Sequence, residues 1–259
     1  MFDLLFLGRF LEKRRKDRFL TFFDKYPVAY RQFLSLFVLR SDWRGIACFG
    51  RSSALGFYLV RMNFLAHLYL SASDDKLTVG NFLADFIRNK DLPALPPRIR
   101  AGVVLHRKID RFTDNHPLVR QGTERLRPHH HKYAPVILDV LYDYILANNW
   151  PDWSEEPLFE FTHRIYRVLK QHIALMPPLV QRRLPLMIAD DWLAGYGMES
   201  GLRYTFERMK KRTSFPHYLD HAVDHFFEDY DAYLAEFNAF FPEVIRYVQA
   251  QMDAEPETI

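Results

Sequence analysis

The stretch "PVILDVLYDYILANNW" (residues 135–150) indicates a helix that runs through the core of the protein. Its apolar side chains recur at spacings of three and four residues, at Val136, Val140, Leu141, Tyr144 and Ile145. This spacing lines up one side of an α-helix and does not match the alternation of a half-buried strand. Asp139 and Asp143 stand four residues apart inside the same run. The stretch therefore predicts a helix that carries two carboxylates among apolar side chains.

The helical pattern continues on both sides of this stretch. The segments "EPLFEFTHRIYRVLKQHIALM" (156–176) and "AVDHFFEDYDAYLAEFNAFF" (222–241) repeat it, and proline clusters interrupt it at 91–98, 176–179 and 214–216. Glycine, with 10 residues of 259, is too scarce for a turn-dense β architecture. We therefore expect an all-α protein, a single helical bundle over residues 62–250 followed by a polar tail at 251–259.

Residues 1–61 differ from the rest of the chain in charge and composition. They hold 12 of the 35 Lys and Arg residues but five acids, a net charge of +7 that leaves −4 on the remainder. They contain the single cysteine, Cys48, and no histidine. We expect a basic extension, helical or disordered, that is appended or translated from an upstream start. The alternative is a genuine amphipathic extension that contacts a membrane or a partner.

Several classes of function are excluded by the composition. The basic pI of about 8.9 belongs to the extension, so nucleic-acid binding is not expected of the main body. One cysteine excludes a disulfide framework and a cysteine-rich zinc site, and it fits a reducing, cytoplasmic compartment. No apolar run in the extension reaches the roughly 18–20 residues that span a bilayer. The chain lacks the GxGxxG, GxxxxGK[ST] and GxSxG motifs.

Ionisable residues recur inside the apolar helical runs. In "LHRKIDRFTDNHP" (105–117), His106 and Asp110 are four residues apart, which places them on one helix face. His67 lies within "NFLAHLYL" and Asp85 within "VGNFLADFI". Burying an unpaired charge costs several kcal/mol, so these groups should face one another or a shared cation. A mixed nitrogen and oxygen ligand set suits Mn, Fe or Zn, and such an ion activates water as a nucleophile.

Each of these residues also has a simpler interpretation. A buried His67 could bond a backbone carbonyl, and Asp85 could pair with Arg88. Asp114 could form a turn before Pro117. Their joint occurrence is what favours a site.

Two histidine clusters elsewhere are weaker candidates for a metal site. The run "PHHHK" (128–132) is expected in an exposed loop, with its side chains diverging. His217, His221 and His225 follow at intervals of four residues on the flank of an apolar stripe. We expect the second cluster to bind metal only adventitiously.

Four segments resemble the acyl carrier protein phosphodiesterase family, also called holo-acyl-carrier-protein hydrolases, a divergent branch of the HD-type metal phosphohydrolases. They are, in order, "MNFLAHLYLS", "GNFLADFI", "LHRKIDRFTDNHP" and "LDVLYDYILANNW". The resemblance covers residues 62–250 and implies a helical bundle of the HD-phosphohydrolase type. The chain has no His–Asp dipeptide, so the pair His106 and Asp110 would take the place of that motif.

The resemblance implies a manganese-dependent hydrolysis, with Mg²⁺, Fe²⁺ or Co²⁺ as alternative ions. The phosphodiester between 4′-phosphopantetheine and a serine of holo-acyl carrier protein would be cut, giving apo carrier and free 4′-phosphopantetheine. The implied metal-binding and catalytic residues are His67, Asp85, His106, Asp110 and Asp143. Asp139 and Asp114 would be additional ligands or would support the ligands.

Basic residues near the motifs are candidates for binding phosphate and the carrier. Arg107, Lys108 and Arg111 could contact the phosphate. Acyl carrier protein is acidic, so the main body needs a local basic surface despite its net charge of −4. Arg98 and Arg100 are the first candidates because they adjoin the motif helix. The other basic runs are Arg182 and Arg183, and residues 208–212.

Two other functions stay open on the sequence alone. A nucleotide phosphohydrolase of the HD type would keep the metal and act on nucleotides without any protein substrate. A non-catalytic helical protein that docks carrier proteins or membranes would bind normally after Asp85→Ala or His106→Ala, with no turnover to lose.

Overall fold

The computed structural model describes residues 64–254, and most of this range is helical. The expectation of an all-α protein is confirmed, since no strand occurs between these residues. The predicted extension at 1–61 and the last residues of the tail lie outside the described range. The α-helices are, in chain order, α1 (Phe64–Ser71), α2 (Asp75–Leu83), α3 (Pro97–Asn115), α4 (Pro117–His130), α5 (Ala134–Asn148), α6 (Leu158–Gln171), α7 (Pro178–Ala189), α8 (Glu199–Lys210), α9 (Ala222–Glu228) and α10 (Tyr230–Ala254).

Proline sets where several helices begin. Pro97, Pro117 and Pro178 occupy the first positions of α3, α4 and α7, where the missing N–H has no intrahelical partner to lose. A 3₁₀ turn begins at Pro216, as the proline cluster at 214–216 predicts. At the other end of the chain, α10 continues to Ala254, past the boundary expected at residue 250.

Helix α5 is the centre of the bundle. Leu138, Leu141 and Ile145 have no exposed surface, and α5 packs against α1, α4, α8 and α10. Val136 and Tyr144, which the periodicity places on the apolar side, are only half-buried. A helix that is apolar on nearly every side is one that other helices surround. The buried surface of α5 is therefore wider than the single stripe that the periodicity indicates.

Helices α2 and α3 cross at their closest approach through two glycines. A Cβ atom added to Gly80 would lie 2.0 Å from the carbonyl oxygen of Ile99, and one added to Gly102 would lie 2.3 Å from the carbonyl oxygen of Leu77. Both obstacles are backbone atoms, which cannot move aside as a flexible side chain can. The absence of a side chain at both positions therefore allows the two backbones to touch.

The histidine run at 128–132 is exposed at four of its five positions, as expected, but α4 continues into the run and His130 is an exception. His130 is the last residue of α4 and is fully buried. Its Nδ1 lies 2.7 Å from the carbonyl oxygen of Tyr218 and its Nε2 lies 3.0 Å from Nδ1 of His225. Burial lowers the pKa of His130, and the neighbouring histidines lower it further. The side chain is held inside by the turn at 216–219, which is distant in sequence.

The spacing of His217, His221 and His225 does not produce one helix face. His217 lies in the 3₁₀ turn, and His221 adopts a left-handed conformation with φ 60° just before α9. The helix expected over 222–241 is also divided at Asp229, between α9 and α10.

None of the helices between residues 64 and 254 is both long and apolar enough to cross a membrane.

Candidate metal centre

Three helical segments bring two histidines and two aspartates together. His67 comes from α1, Asp85 from the 3₁₀ turn that follows α2, and His106 and Asp110 from α3. Nε2 of His67 lies 3.3 Å from Oδ1 of Asp110. Nε2 of His106 lies 3.5 Å from Oδ2 of Asp110 and 3.6 Å from Oδ1 of Asp85. Both imidazoles are buried, while the two carboxylates keep some exposure to solvent. The cluster is therefore a partly open cleft with nitrogen and oxygen donors.

Asn81 fixes the orientation of both imidazoles. The rings of His67 and His106 stack with centroids 4.0 Å apart, and Nδ1 of each lies 3.0 and 2.9 Å, respectively, from Oδ1 of Asn81. Nδ2 of Asn81 donates to the carbonyl oxygen of His67 at 2.8 Å, which sets the orientation of the amide. Because the amide oxygen only accepts, both Nδ1 atoms must donate. In the neutral form of each ring, Nε2 then carries the lone pair and faces the carboxylates.

The charge around His67 favours its protonated form when no cation is present. Burial lowers the pKa of His67, but the hydrogen bond and charge of Asp110 outweigh it. The charges of Asp85 and Asp143 act in the same direction, and the pKa is raised above 6.5. Three carboxylates around one imidazole thus form a negative pocket that attracts a cation.

Asp143 holds the beginning of α1 in place. Its carboxylate is fully buried and accepts from the backbone N–H groups of Leu65 and Ala66 at 3.0 and 2.9 Å. Burial raises its pKa to about 7, although the two N–H groups and the charge of His67 oppose the rise. An anion at a helix N-terminus is favourable, and this one fixes the turn from which His67 projects. The structure thus gives Asp143 a positioning role, and its role as a ligand stays a prediction.

The donor set fits a divalent first-row ion. Ligands bound at about 2.0–2.2 Å are separated by roughly 3.0–3.5 Å from their neighbours in tetrahedral or octahedral geometry. The separations of 3.3, 3.5 and 3.6 Å in the cluster approach that range. Donor atoms of His67, His106 and Asp110 all lie within 4.8 Å of one another. The hydrogen bonds to Asn81 are the outer support that metal-binding histidines usually have.

The remaining predicted ligands lie around this cluster. Asp139 lines a pocket on the far side of His67. Asp114 follows Asp110 by one turn of α3 and is exposed. His116, which is not among the predicted ligands, lies at the junction of α3 and α4 with Nε2 3.2 Å from Oε2 of Glu243. Arg88 forms an ion pair with Asp91 at 2.7 Å, and the pairing of Arg88 with Asp85 stays a prediction. The ring of His67 bonds a side-chain amide rather than the backbone carbonyl of the simpler interpretation.

The predicted phosphate and carrier residues occupy different environments. Arg107 is half-buried, with Nη2 3.5 Å from the carbonyl oxygen of Ile87, and Arg111 and Arg100 are exposed. Lys108 is half-buried on α3. Arg98 binds Asp74 at 2.8 Å, and Asp74 in turn accepts from the N–H of Leu77 to cap α2. Arg98 is thus part of the support of α2.

Asn81 is the residue of the centre that sequence reasoning missed. It is fully buried, and in "GNFLADFI" it precedes Asp85 by four residues. In a continuous helix that spacing would put both residues on one face, so a polar amide beside a candidate ligand was the available signal, although Asp85 in fact lies in the 3₁₀ turn after α2. The search for ionisable groups passed over it because an amide carries no charge.

The fold and the centre define an all-α protein with a histidine–carboxylate cluster suited to a divalent cation. The chain belongs to the acyl carrier protein phosphodiesterase family, whose model matches residues 62–244. No solved structure matches the chain.

Relatives that carry this family name resemble nearly the whole of the matched segment. An acyl carrier protein phosphodiesterase of Enterobacter sp. (strain 638) is 32% identical over 191 residues, covering 73% of this chain and 98% of the relative. One from Escherichia coli O6:H1 is 34% identical over 191 residues, covering 71% of this chain and 96% of the relative. The similarity thus covers nearly the full length of these relatives rather than an isolated motif.

Proposed function

We propose that the protein hydrolyses the phosphodiester between 4′-phosphopantetheine and the serine of holo-acyl carrier protein, with Mn²⁺ as the first choice of ion. The observation that carries the proposal is the Asn81-supported pair of imidazoles that faces two carboxylates. Membership of the family supplies the substrate class. His67, His106, Asp110 and Asp85 would hold the ion.

A bound divalent ion would supply positive charge against the phosphate oxygens and acidify water. The residues of the chain do the rest by geometry. Asn81 keeps both Nε2 lone pairs directed at one point, and Asp143 fixes the first turn of α1, so His67 needs no reorganisation. The partial exposure of Asp110 and Asp85 leaves a side from which the phosphodiester can approach.

The reaction forms one bond to phosphorus and breaks another. The oxygen of water forms a new bond to phosphorus, and the bond between phosphorus and the serine oxygen breaks. One proton of the water ends on the serine oxygen, which restores the hydroxyl of the apo carrier. The other product is 4′-phosphopantetheine, a phosphomonoester.

The partner and the location follow from the same proposal. The partner is an acidic protein, so a basic surface of the described bundle is needed to receive it. The single cysteine of the chain supports a reducing compartment, and we place the reaction in the cytoplasm.

The test uses the full chain with holo-acyl carrier protein and Mn²⁺ and follows the intact mass of the carrier. We expect the carrier to lose the mass of its phosphopantetheine group, and a chelator to stop the reaction. Asp110→Asn should lower the rate at least 100-fold, on the order of the loss of one metal-site contact. The matched control is Asp152→Asn, an exposed aspartate in the turn after α5.

Each outcome separates this proposal from its rivals. Carrier that keeps its mass while binding tightly would identify a docking protein without catalysis. Phosphate release from nucleotides, with no change in the carrier, would identify a nucleotide phosphohydrolase. Full turnover in the presence of the chelator would remove the metal from the proposal.

A further inference from the structure

A pocket adjoins the metal centre on the side of α10. Its lining includes His67 and Asp143 as well as Phe237, Phe240 and Phe241 of α10. Its empty volume is about 380 Å³ when the open solvent at its mouth is counted, and the enclosed part is about 30 Å³. Ligand sites commonly combine an apolar, aromatic wall with few polar groups, and this pocket has that composition. We call it the Tyr142 pocket, after the α5 residue that completes its lining.

Tyr142 carries a polar group for which the described part of the chain offers no partner. Its ring packs against Phe237 and Phe240, with centroids 5.4 and 6.0 Å away. The side chain is buried, and its hydroxyl has no hydrogen-bond partner among residues 64–254. Buried hydroxyls are rarely left without a partner, because the loss of water is not repaid. A ligand in the pocket would provide the missing acceptor.

The two substituents of the scissile phosphate differ greatly in size. One is a folded carrier protein, which no pocket of this volume can admit. The other is the pantetheine arm, a slender chain that begins with a dimethyl-substituted carbon close to the phosphate and continues through a hydroxyl and amide groups. Its branched apolar start suits the phenylalanine wall, and its amide carbonyl oxygens are acceptors for a phenol.

We propose that the Tyr142 pocket binds the pantetheine arm, with the hydroxyl of Tyr142 donating to a carbonyl oxygen of the arm. This inference rests on the proposed function. It adds the orientation of the substrate at the metal centre. With the arm lying along this mostly open pocket between α5 and α10, the serine oxygen and the carrier lie on the solvent side of the metal centre. The enzyme then recognises its substrate through the arm as well as through the carrier surface.

Direct binding of the product 4′-phosphopantetheine tests the pocket without relying on turnover. The full chain with Mn²⁺ is titrated with 4′-phosphopantetheine and, separately, with inorganic phosphate by calorimetry. Tyr142→Phe should weaken the binding of 4′-phosphopantetheine about tenfold, the effect of one hydrogen bond, and leave phosphate unchanged. The control is Tyr144→Phe, a half-buried tyrosine on the same helix that does not line the pocket.

A second variant tests the volume of the pocket independently of the hydroxyl. Thr113 is a half-buried lining residue on α3, so Thr113→Phe fills the space with little disturbance of the core. It should also weaken the binding of 4′-phosphopantetheine and leave the binding of phosphate unchanged. Thermal unfolding of both variants is measured to show that they are folded. Unchanged affinity of 4′-phosphopantetheine in both variants would overturn the inference. Product binding that follows these expectations in a protein without turnover on holo carrier would instead reject the proposed reaction and keep the pocket.

Discussion

Asn81 organises the centre although it carries no charge. One amide oxygen accepts from two imidazoles, and the amide nitrogen donates to the backbone of His67, so a single side chain joins α2 to both α1 and α3. No water competes for these bonds because Asn81 is fully buried. The amide determines which nitrogen of each ring faces the carboxylates, and that choice decides whether a cation can be bound there.

Replacing Asn81 should therefore reduce the affinity for the ion. In Asn81→Ala, the two rings lose the acceptor that fixes their tautomer and tilt, while all proposed donor atoms remain. We expect Mn²⁺ affinity, measured by calorimetric titration, to fall roughly 10- to 100-fold. Asn148→Ala, an exposed asparagine near the end of α5, is the control. Loss of thermal stability with unaltered Mn²⁺ affinity would show that Asn81 serves packing alone.

The sequence predicted the charged residues of the centre better than their support. His67, Asp85, His106 and Asp110 stand out because each is ionisable within an apolar run, and the structure brings these four together. Asn81 did not stand out, since its importance arises from contacts with two other helices. His130 was misjudged for a similar reason, because only the folded chain brings the backbone of Tyr218 to it.

At the scale of the helices, the crossing of α2 and α3 sets the spacing of the centre. Asn81 follows Gly80 directly, and His106 lies one turn beyond Gly102 on α3. The contact between the two glycines thus sits beside the 2.9 Å hydrogen bond from His106 to Asn81. A wider crossing would lengthen that bond.

Gly102→Ala should consequently impair both stability and the centre. The added methyl group meets the carbonyl oxygen of Leu77, and forcing the backbones apart costs on the order of 3 kcal/mol in unfolding free energy. Chemical denaturation measures this cost, and Mn²⁺ titration should show weaker binding. Gly195→Ala is the control, because its Cβ would meet no atom within 4 Å, and its expected change is within about 0.5 kcal/mol. Wild-type stability of Gly102→Ala would contradict the close crossing.

Helices were more predictable than the way in which they pack. The proline clusters and the periodicity of three to four residues indicated the helical segments, because both signals act within one stretch of chain. Neither the glycine contact nor the break at Asp229 could be predicted from the sequence, since each depends on what another helix presents there. The resemblance to HD-type proteins stays a prediction at this scale.

Charge is the property of the whole molecule that bears on its protein substrate. The main body carries a net charge of −4, so an acidic carrier is repelled on average and must bind a local basic surface. Arg182 and Arg183 of α7 and Arg208 and Arg212, in and just after α8, form such a surface, and no carboxylate pairs with them among residues 64–254. Partial burial and the charges of the other arginines lower the pKa of Arg183 and of Arg212. The repulsion among clustered positive charges that have no carboxylate beside them is reduced when an anionic partner binds.

Reversing charge on this surface should weaken carrier binding specifically. Arg183→Glu combined with Arg212→Glu should raise KM for holo-acyl carrier protein on the order of tenfold at low salt, with kcat unchanged. The difference should shrink as ionic strength rises past 0.15 M, where charges are screened beyond about 8 Å. Arg127→Glu with Lys170→Glu changes the net charge equally at exposed positions on α4 and α6 and serves as the control.

The predicted surface at Arg98 and Arg100 gives a contrasting expectation in the same assay. Arg98 is bound to Asp74, the cap of α2, so Arg98→Glu should destabilise the fold because it places two carboxylates together. Arg100 is exposed, and Arg100→Glu tests that surface without this loss. A salt-dependent rise in KM with Arg100→Glu, and none with the pair Arg183 and Arg212, would move the docking surface to the beginning of α3. KM could also rise equally in Arg100→Glu, in the Arg183→Glu and Arg212→Glu pair, and in the control pair. That result would show that the carrier responds to the total charge rather than to any one surface.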